Sequence, residues 1–383
     1  MKADQNNLFK SSFSPAESIA DDPVKTLALY LVPGIGAVYF RSLINSLGSP
    51  SEVFSASQQM LESVPGIGPQ TAAAIKSAKL DQTAEDFWGK LLTINARMIS
   101  IWDEEYPERL KEIHDPPVLL FVRGSLPQPG EQLVAVVGTR RPSIYGVRQA
   151  NRFAEGLAQA GIGIVSGMAR GIDSAAHDGA LQASGRTYAV FGCGIDYIYP
   201  PENKSIAEKI EHNGALISEF LPGTSPDPGL FPRRNRIISG LCSGVLVVQG
   251  GFKSGALITA KLALEQGRDV FAIPGNVDDK ESQGPHQLIR AGGILVNSSQ
   301  EIIAELGFTE GSDKFPEIKR EKMPQLNPTE LEVAQRLSHD PIHIDQLVQD
   351  LNKPVSSILA DLLNLEMKGW VKQLPGKLFI RNR

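Results

Sequence analysis

Seven short apolar runs punctuate residues 131–307: Leu133–Val137, Gly163–Ser166, Tyr188–Phe191, Leu216–Ser218, Val245–Val248, Val270–Ile273 and Ile294–Val296. Most of the stretches between them repeat apolar residues at helical spacing, as in Tyr145–Ala160, Asp173–Ala183 and Ala256–Gln266. A strand with one wet face alternates apolar and polar residues, whereas a strand that is apolar throughout needs cover on both faces. The pattern therefore predicts an α/β fold, an extended Rossmann-like doubly wound parallel sheet. Ligands of such sheets sit beyond the carboxyl ends of the strands, so the strand ends are where binding residues are expected.

The flanks organise differently. Residues 1–22 read as a disordered arm and 23–80 as a helical domain, in which Val32-Pro33-Gly34-Ile35-Gly36 recurs as Val64-Pro65-Gly66-Ile67-Gly68. Glycine tolerates the left-handed angles of a tight turn between helices, so the two copies resemble helix-hairpin-helix or SAM-like units. With no Lys or Arg in either loop, they could hold a DNA backbone through loop amides or serve only as a scaffold. Residues 81–130 form a connector packing on the core, with extended segments at Ile99–Trp102 and Pro117–Arg123. A polar linker at 308–325 leads to 326–383, where three helical patterns (Thr329–Leu337, Ile344–Leu351, Val355–Lys368) precede a hairpin around Pro375-Gly376, the layout of a winged-helix domain. That segment balances seven Lys and Arg against seven Asp and Glu, so its charge does not distinguish a protein partner from duplex DNA.

Composition bounds the function classes. A net charge of −5 argues against a protein coated with nucleic acid over its whole surface, but leaves local patches open. Two cysteines, Cys193 and Cys242, make neither a metal nor a disulfide framework and read as reduced core thiols. The polar N-terminus lacks the apolar core of a signal peptide, and the uncharged stretch Leu27–Leu31 onward to Phe40 is too short to span a bilayer. A cytoplasmic protein without membrane contact, cofactor or metal is expected.

Candidate chemistry gathers at the strand ends. The first strand runs into Gly138-Thr139-Arg140-Arg141, and the second into Ser166-Gly167-Met168-Ala169-Arg170-Gly171 before a helix. Glycines there let amides at a helix start face a phosphate. A later strand end, Gly250-Gly251-Phe252-Lys253-Ser254-Gly255, repeats the design. Between them lies Phe231-Pro232-Arg233-Arg234-Asn235-Arg236, an aromatic beside three arginines. Arginine pairs bidentately with phosphate and an aromatic ring stacks a splayed base, so the set suits a single strand. The plainer alternatives are tight turns for the glycine loops and structural bracing for Arg233, Arg234 and Arg236. Asp173 and His177, four apart, read first as a helix-start residue and a packed side chain rather than an acid–base pair. Pro341 breaks the i,i+4 pair His339 and His343. Neither the P-loop nor the dinucleotide fingerprint is present.

At these residues the chain resembles the DprA family, also called Smf. The likeness rests on Val136-Val137-Gly138-Thr139-Arg140, Ser166–Asp173, Gly192-Cys193-Gly194 with Tyr199-Pro200-Pro201-Glu202-Asn203, Phe231–Arg236, Ser254–Ala260 and Ile273-Pro274-Gly275-Asn276. It implies a non-catalytic homodimer that binds incoming single-stranded DNA, protects it and helps load a RecA-type recombinase during natural transformation. DNA contacts carry over to Arg140, Ser166, Gly167 and Phe231. Gly138, Thr139, Arg141, Met168, Arg170, Gly171, Asn203 and Lys204 join them as motif neighbours, and Arg233, Arg234, Asn235, Arg236, Lys253 and Ser254 by position. The sequence departs from the pattern at Gln249, where Glu is usual, and at His286, where Asn is usual. The alternative is a nucleotide-binding or nucleoside-monophosphate-hydrolysing enzyme of the lysine-decarboxylase-like superfamily. That family needs a Pro-Gly-Gly-x-Gly-Thr loop with a following glutamate, which 250–255 lacks.

Overall fold

A computed structural model of the chain describes residues 22–78, 82–308, 326–338 and 341–381. The arm and linker expected at 1–22 and 308–325, and His339, lie almost wholly outside them. The chain divides into two compact units, between Thr309 and Glu310.

In the first unit the connector contributes β1 (Arg97–Ser100) and β2 (Leu119–Gly124). The central region contributes β3 (Leu133–Val137), β4 (Gly163–Ser166), β5 (Thr187–Val190), β6 (Gly214–Ser218), β7 (Gly244–Val247), β8 (Asp269–Ala272) and β9 (Ile294–Leu295). All nine form one sheet in the order β1-β2-β6-β5-β4-β3-β7-β8-β9. Strands β3 to β9 run parallel, as the apolar runs predict. The connector does more than pack on the core: β2 pairs antiparallel with β6, and β1 with β2, so the sheet is mixed at that edge.

Strand β3 shows why its residues are apolar throughout. Val134 and Val136 pack with Phe153, Leu157 and Ile172 on one face, and Leu133, Ala135 and Val137 pack with Ile237, Leu241 and Ala260 on the other. Each large side chain so buried contributes about 1.5–3 kcal/mol. Helices Ile144–Gln159 and Ile172–Gln182 supply the first cover, and Leu230–Leu241 and Gly255–Glu265 the second. From β3 the chain builds outward through β4, β5 and β6, then returns to start β7 on the other side of β3. The crevice beyond the ends of β3 and β7 is therefore the switch point of the sheet.

The region expected as a separate domain at 23–80 shares its core with the sheet. Gly34 and Gly66 adopt φ of +88° and +89° in the two repeated turns. The turns bury Ile35 and Ile67 against Phe40, Leu43 and Ile75, and that cluster continues into Val118 and Leu119 of the β2 segment. Leu27, Ala84 and Leu91, from helices Pro23–Leu31 and Gln82–Thr93, pack over Phe121 and Leu216.

The second unit has the winged-helix elements. Helices Pro328–Arg336, Ile344–Leu351 and Val355–Met367 enclose Val333, Leu347, Ile358, Leu362 and Trp370. Beside them stands a sheet ordered β10-β12-β11, from β10 (Ile342–His343), β11 (Val371–Leu374) and β12 (Leu378–Arg381). Asn327 and Glu330 form a reciprocal capping box at the first helix. Among the described residues no helix is long and apolar enough to cross a membrane.

Candidate nucleic-acid interface

A cleft of about 750 Å³ opens at the switch point, between the loops after β3 and β7 and the start of helix Leu230–Leu241. The β3 loop is stitched to both neighbours: the Thr139 amide donates to Gln249 O at 2.8 Å, and Thr139 O accepts from the Ile172 amide at 3.2 Å. Glycine is required at 138, where a Cβ would lie 2.5 Å from the Ile172 side chain and 2.8 Å from Gln249 O. The fixed loop projects Arg140 and Arg141 to the cleft wall, both exposed.

Arg140 lies over the Phe231 ring, with Cζ 4.9 Å from its centroid, a distance at which a cation is attracted to the ring face. Phe231 is seated on Gly192, where a Cβ would come within 2.7 Å of the ring, and the Tyr199 ring stands 6.0 Å away. Lys253, also exposed, lines the cleft with Ser254. Ser254 caps helix Gly255–Glu265, its Oγ accepting from the Ala256 amide at 3.3 Å. The positive end of that helix thus opens on the cleft beside a lysine. Three cations (Arg140, Arg141 and Lys253), one helix start and an aromatic pair, Phe231 half-buried and Tyr199 exposed, line this cleft.

Several residues expected at this surface are buried instead, Arg234 and Asn235 among them in the cleft lining. Arg234 is buried: Nη1 donates to Gly167 O at 2.7 Å and to Val190 O, and Nε to Asn235 Oδ1 at 3.1 Å. Burial pushes its pKa down to about 10 while Asp173 pulls the other way, so the side chain stays charged at neutral pH as a brace between the ends of β4 and β5. The Gly167 amide, expected to face a phosphate, donates to the Asp173 carboxylate at 3.2 Å, and so does that of Ala169 at 3.3 Å. The Asp173 side chain fills this nest, and burial raises its pKa against the pull of Arg234. Ser166 donates to Val136 O at 2.7 Å within the sheet. Met168 is fully buried, and Asn203 donates to Met168 O and to Ser174 Oγ, each at 2.8 Å. Asn235 is buried behind Arg234, with Nδ2 3.5 Å from Gly255 O. Gly171 turns the β4 loop at φ +81°.

The remaining candidates lie off the cleft. Arg236 pairs with Glu219 and, at 3.3 Å, with Asp115. Arg233 is exposed over the Phe220 ring at 5.5 Å. Arg170 pairs with Glu202 on the surface, and Lys204 is exposed but does not line the cleft. Sequence reasoning missed Tyr199, Pro228, Thr259 and Glu281, which do line it. Tyr199 had a signal, an aromatic in the run Tyr199-Pro200-Pro201, whereas Glu281 lies in a segment with no pattern of its own.

Position 249 also turns away from the cleft. Gln249 Oε1 accepts from the Ser143 amide at 3.0 Å, and Nε2 donates to Asp279 Oδ2 at 3.0 Å. Asp173 and His177 do not meet as an acid–base pair, since His177 is buried with Nδ1 2.7 Å from Thr187 Oγ1. Cys193 and Cys242 are buried and unbridged. Among the described residues no group of His, Cys, Asp or Glu could hold a metal. In the second unit, helix Val355–Met367 exposes Val355, Leu359, Leu363 and Met367, and the ammonium of Lys368 after it is 2.6 Å from Glu330. That face is apolar rather than basic.

The fold is a doubly wound α/β sheet with an arginine- and lysine-walled cleft at its switch point. Residues 97–307, more than half of the chain, match the model of DNA recombination-mediator protein A, 319–377 that of the DprA winged helix domain, and 16–78 a SAM-like helix-hairpin-helix tandem. Protein Smf of Escherichia coli is 41% identical over 74% of this chain and 76% of its own. Protein Smf of Synechocystis is 34% identical over 93% and 98%. The X-ray structure of DNA processing protein A from Streptococcus pneumoniae superposes with a TM-score of 0.65 at 37% identity, over 74% of this chain and 97% of that one. A structure of DNA processing protein A from Helicobacter pylori, described for its single-stranded DNA binding mode, gives 0.50 at 30% identity, over 56% and 96%. The chain belongs to the DprA/Smf family of DNA-processing, recombination-mediator proteins.

Proposed function

We propose that the chain binds single-stranded DNA without regard to sequence. Phosphates would sit on Arg140, Arg141, Lys253 and the start of helix Gly255–Glu265, with a base against Phe231 and Tyr199. The observation that carries this reading is the Arg140–Phe231 pair at the mouth of the switch-point cleft, facing Lys253. Cation and ring together match the alternation of phosphate and base along one strand, and neither reads a base edge. The H. pylori relative, described for binding single-stranded DNA, supports the same use of the fold. A strand held in this way is shielded, and its transfer to a RecA-type recombinase by a homodimer is the role we assign within DNA recombination. No step of bond making is assigned to the cleft.

The test is a salt titration of binding to labelled oligo-dT and to a matched duplex, with wild type, Arg140→Ala and Lys253→Ala. The reading expects tight, salt-sensitive binding to the single strand that weakens in both variants, each lowering the slope of log K against log salt by about 0.7. Equal binding by all three proteins, or preference for the duplex, would overturn it. Release of free base from nucleoside monophosphates would put an enzyme in its place.

A further inference from the structure

The loop after β7 has a second side. Lys253 lines the switch-point cleft, but its neighbour Phe252 lines a separate cleft of about 250 Å³, together with Gln283, His286, Gln287 and Arg290 of helix Gln283–Arg290. Phe252 is 62% exposed, and Arg290 and Gln287 are exposed with it. The loop that carries the ring is clamped. The Gly250 amide donates to Glu281 O at 2.6 Å, the Gly284 amide to Gly250 O at 2.7 Å, and a Cβ at 284 would come within 2.4 Å of that same oxygen. The ring is therefore presented by an ordered wall and not by a loose tip. The two clefts adjoin across this wall: residues 252 and 253 face opposite sides, and Glu281 lines the first cleft while Gln283 lines the second.

The chemistry of the second cleft matches that of the first. In the first an arginine lies over the half-buried Phe231 ring, and in the second the exposed Phe252 ring lines the cleft with Arg290. Gln283 and Gln287 add amides that both donate and accept, and so meet any base edge without choosing among them. His286 holds Gly275 O through Nε2 at 3.1 Å, which fixes its ring at the cleft wall.

We infer that the cleft beside Phe252 is a second nucleotide subsite, which takes a base of the same single strand on the Phe252 ring and a phosphate of that strand on Arg290. The inference rests on the single-strand reading of the switch-point cleft. It extends the path of the strand from Arg140 and Phe231 over the 252–253 ridge to helix Gln283–Arg290.

Anisotropy titration of a ladder of labelled dT oligomers against the full chain tests it. Wild type should gain affinity as the strand grows long enough to cross the ridge. Phe252→Ala should bind the shortest oligomers that still bind as wild type does, and lose about tenfold on the longest. Arg290→Ala should lower the salt slope by about 0.7 on long oligomers only. Arg140→Ala should weaken every length. A Phe252→Trp variant gives a second readout, since its added emission should be quenched by long dT and not by short. Should Phe252→Ala follow wild type at every length while Arg140→Ala does not, the second subsite falls and the first stands. An equal loss at all lengths would place Phe252 in the first cleft and also overturn the inference. No binding by wild type at any length would remove both.

Discussion

Arginine meets three fates in this half of the sheet. Arg140 is exposed over Phe231, Arg234 is buried on two backbone carbonyls, and Arg236 is engaged by Glu219 and Asp115. The first should act on affinity and the second on stability. Arg234→Met should cost about 3 kcal/mol in denaturant unfolding, because it leaves the buried Gly167 O and Val190 O without their donor. Arg140→Ala should leave the unfolding midpoint unchanged. His177 sets a pH limit. Burial pushes its pKa from 6.5 down to about 3, so the neutral ring is the folded form. Between those values the unfolded chain binds the extra proton. The stabilisation is thus complete above pH 6.5 and falls as the solution is acidified toward pH 3. From pH 6.5 to 5 this one group should remove about 2 kcal/mol, and His177→Gln should flatten that part of the stability profile.

At the scale of the element, the turn after β4 decides the shape of the site. Gly171 stands at φ +81°, where a Cβ would lie 2.5 Å from Thr139 O. Gly171→Ala should therefore cost about 2 kcal/mol from the backbone angle alone and should also displace the loop carrying Arg140, lowering oligo-dT affinity in the same variant. Helix Leu230–Leu241 shows where element-level reading stops. Its strand-end neighbours announce themselves by glycine and apolar runs, but Phe231–Arg236 has four polar residues in six and reads as a surface stretch. It is a helix with Arg234 and Asn235 inside. The polar residues can be buried only because distant carbonyls meet them, those of Gly167 and Val190 for Arg234 and that of Gly255 for Asn235, and no local pattern reports that.

For the whole molecule, the two units make different commitments. A chain ended at 309 keeps the sheet and every residue lining both clefts, so it should bind oligo-dT with the affinity of the full chain. Titration of the truncated chain measures this directly, and a lower affinity would overturn it. The N-terminal helices cannot be cut away in the same manner. Deleting residues 1–80 would bare Val118, Leu119 and Phe121, which are fully covered in the intact unit, and should yield a protein that aggregates or binds a hydrophobic dye.

The amino-acid sequence by itself determined the number of the central strands and their succession along the chain, their parallel packing, the loops at their ends and the winged-helix layout. Those follow from apolar periodicity and glycine placement, which are local properties of the chain. It did not determine that β1 and β2 would extend the same sheet, since a short apolar run is compatible with any open edge. Nor did it determine which strand-end groups would face water. Arg234 finds its carbonyl partners 67 and 44 residues away. The amides at Gly167 and Ala169 are taken by Asp173 only because the turn folds back on its own helix. Family motif marked Arg140, Gly167 and Phe231 as contacts, and position added Arg234 and Lys253. Tertiary structure separated Arg140, Phe231 and Lys253 from those that hold the loops in place, because desolvating a charge is tolerated only where fixed partners converge on it.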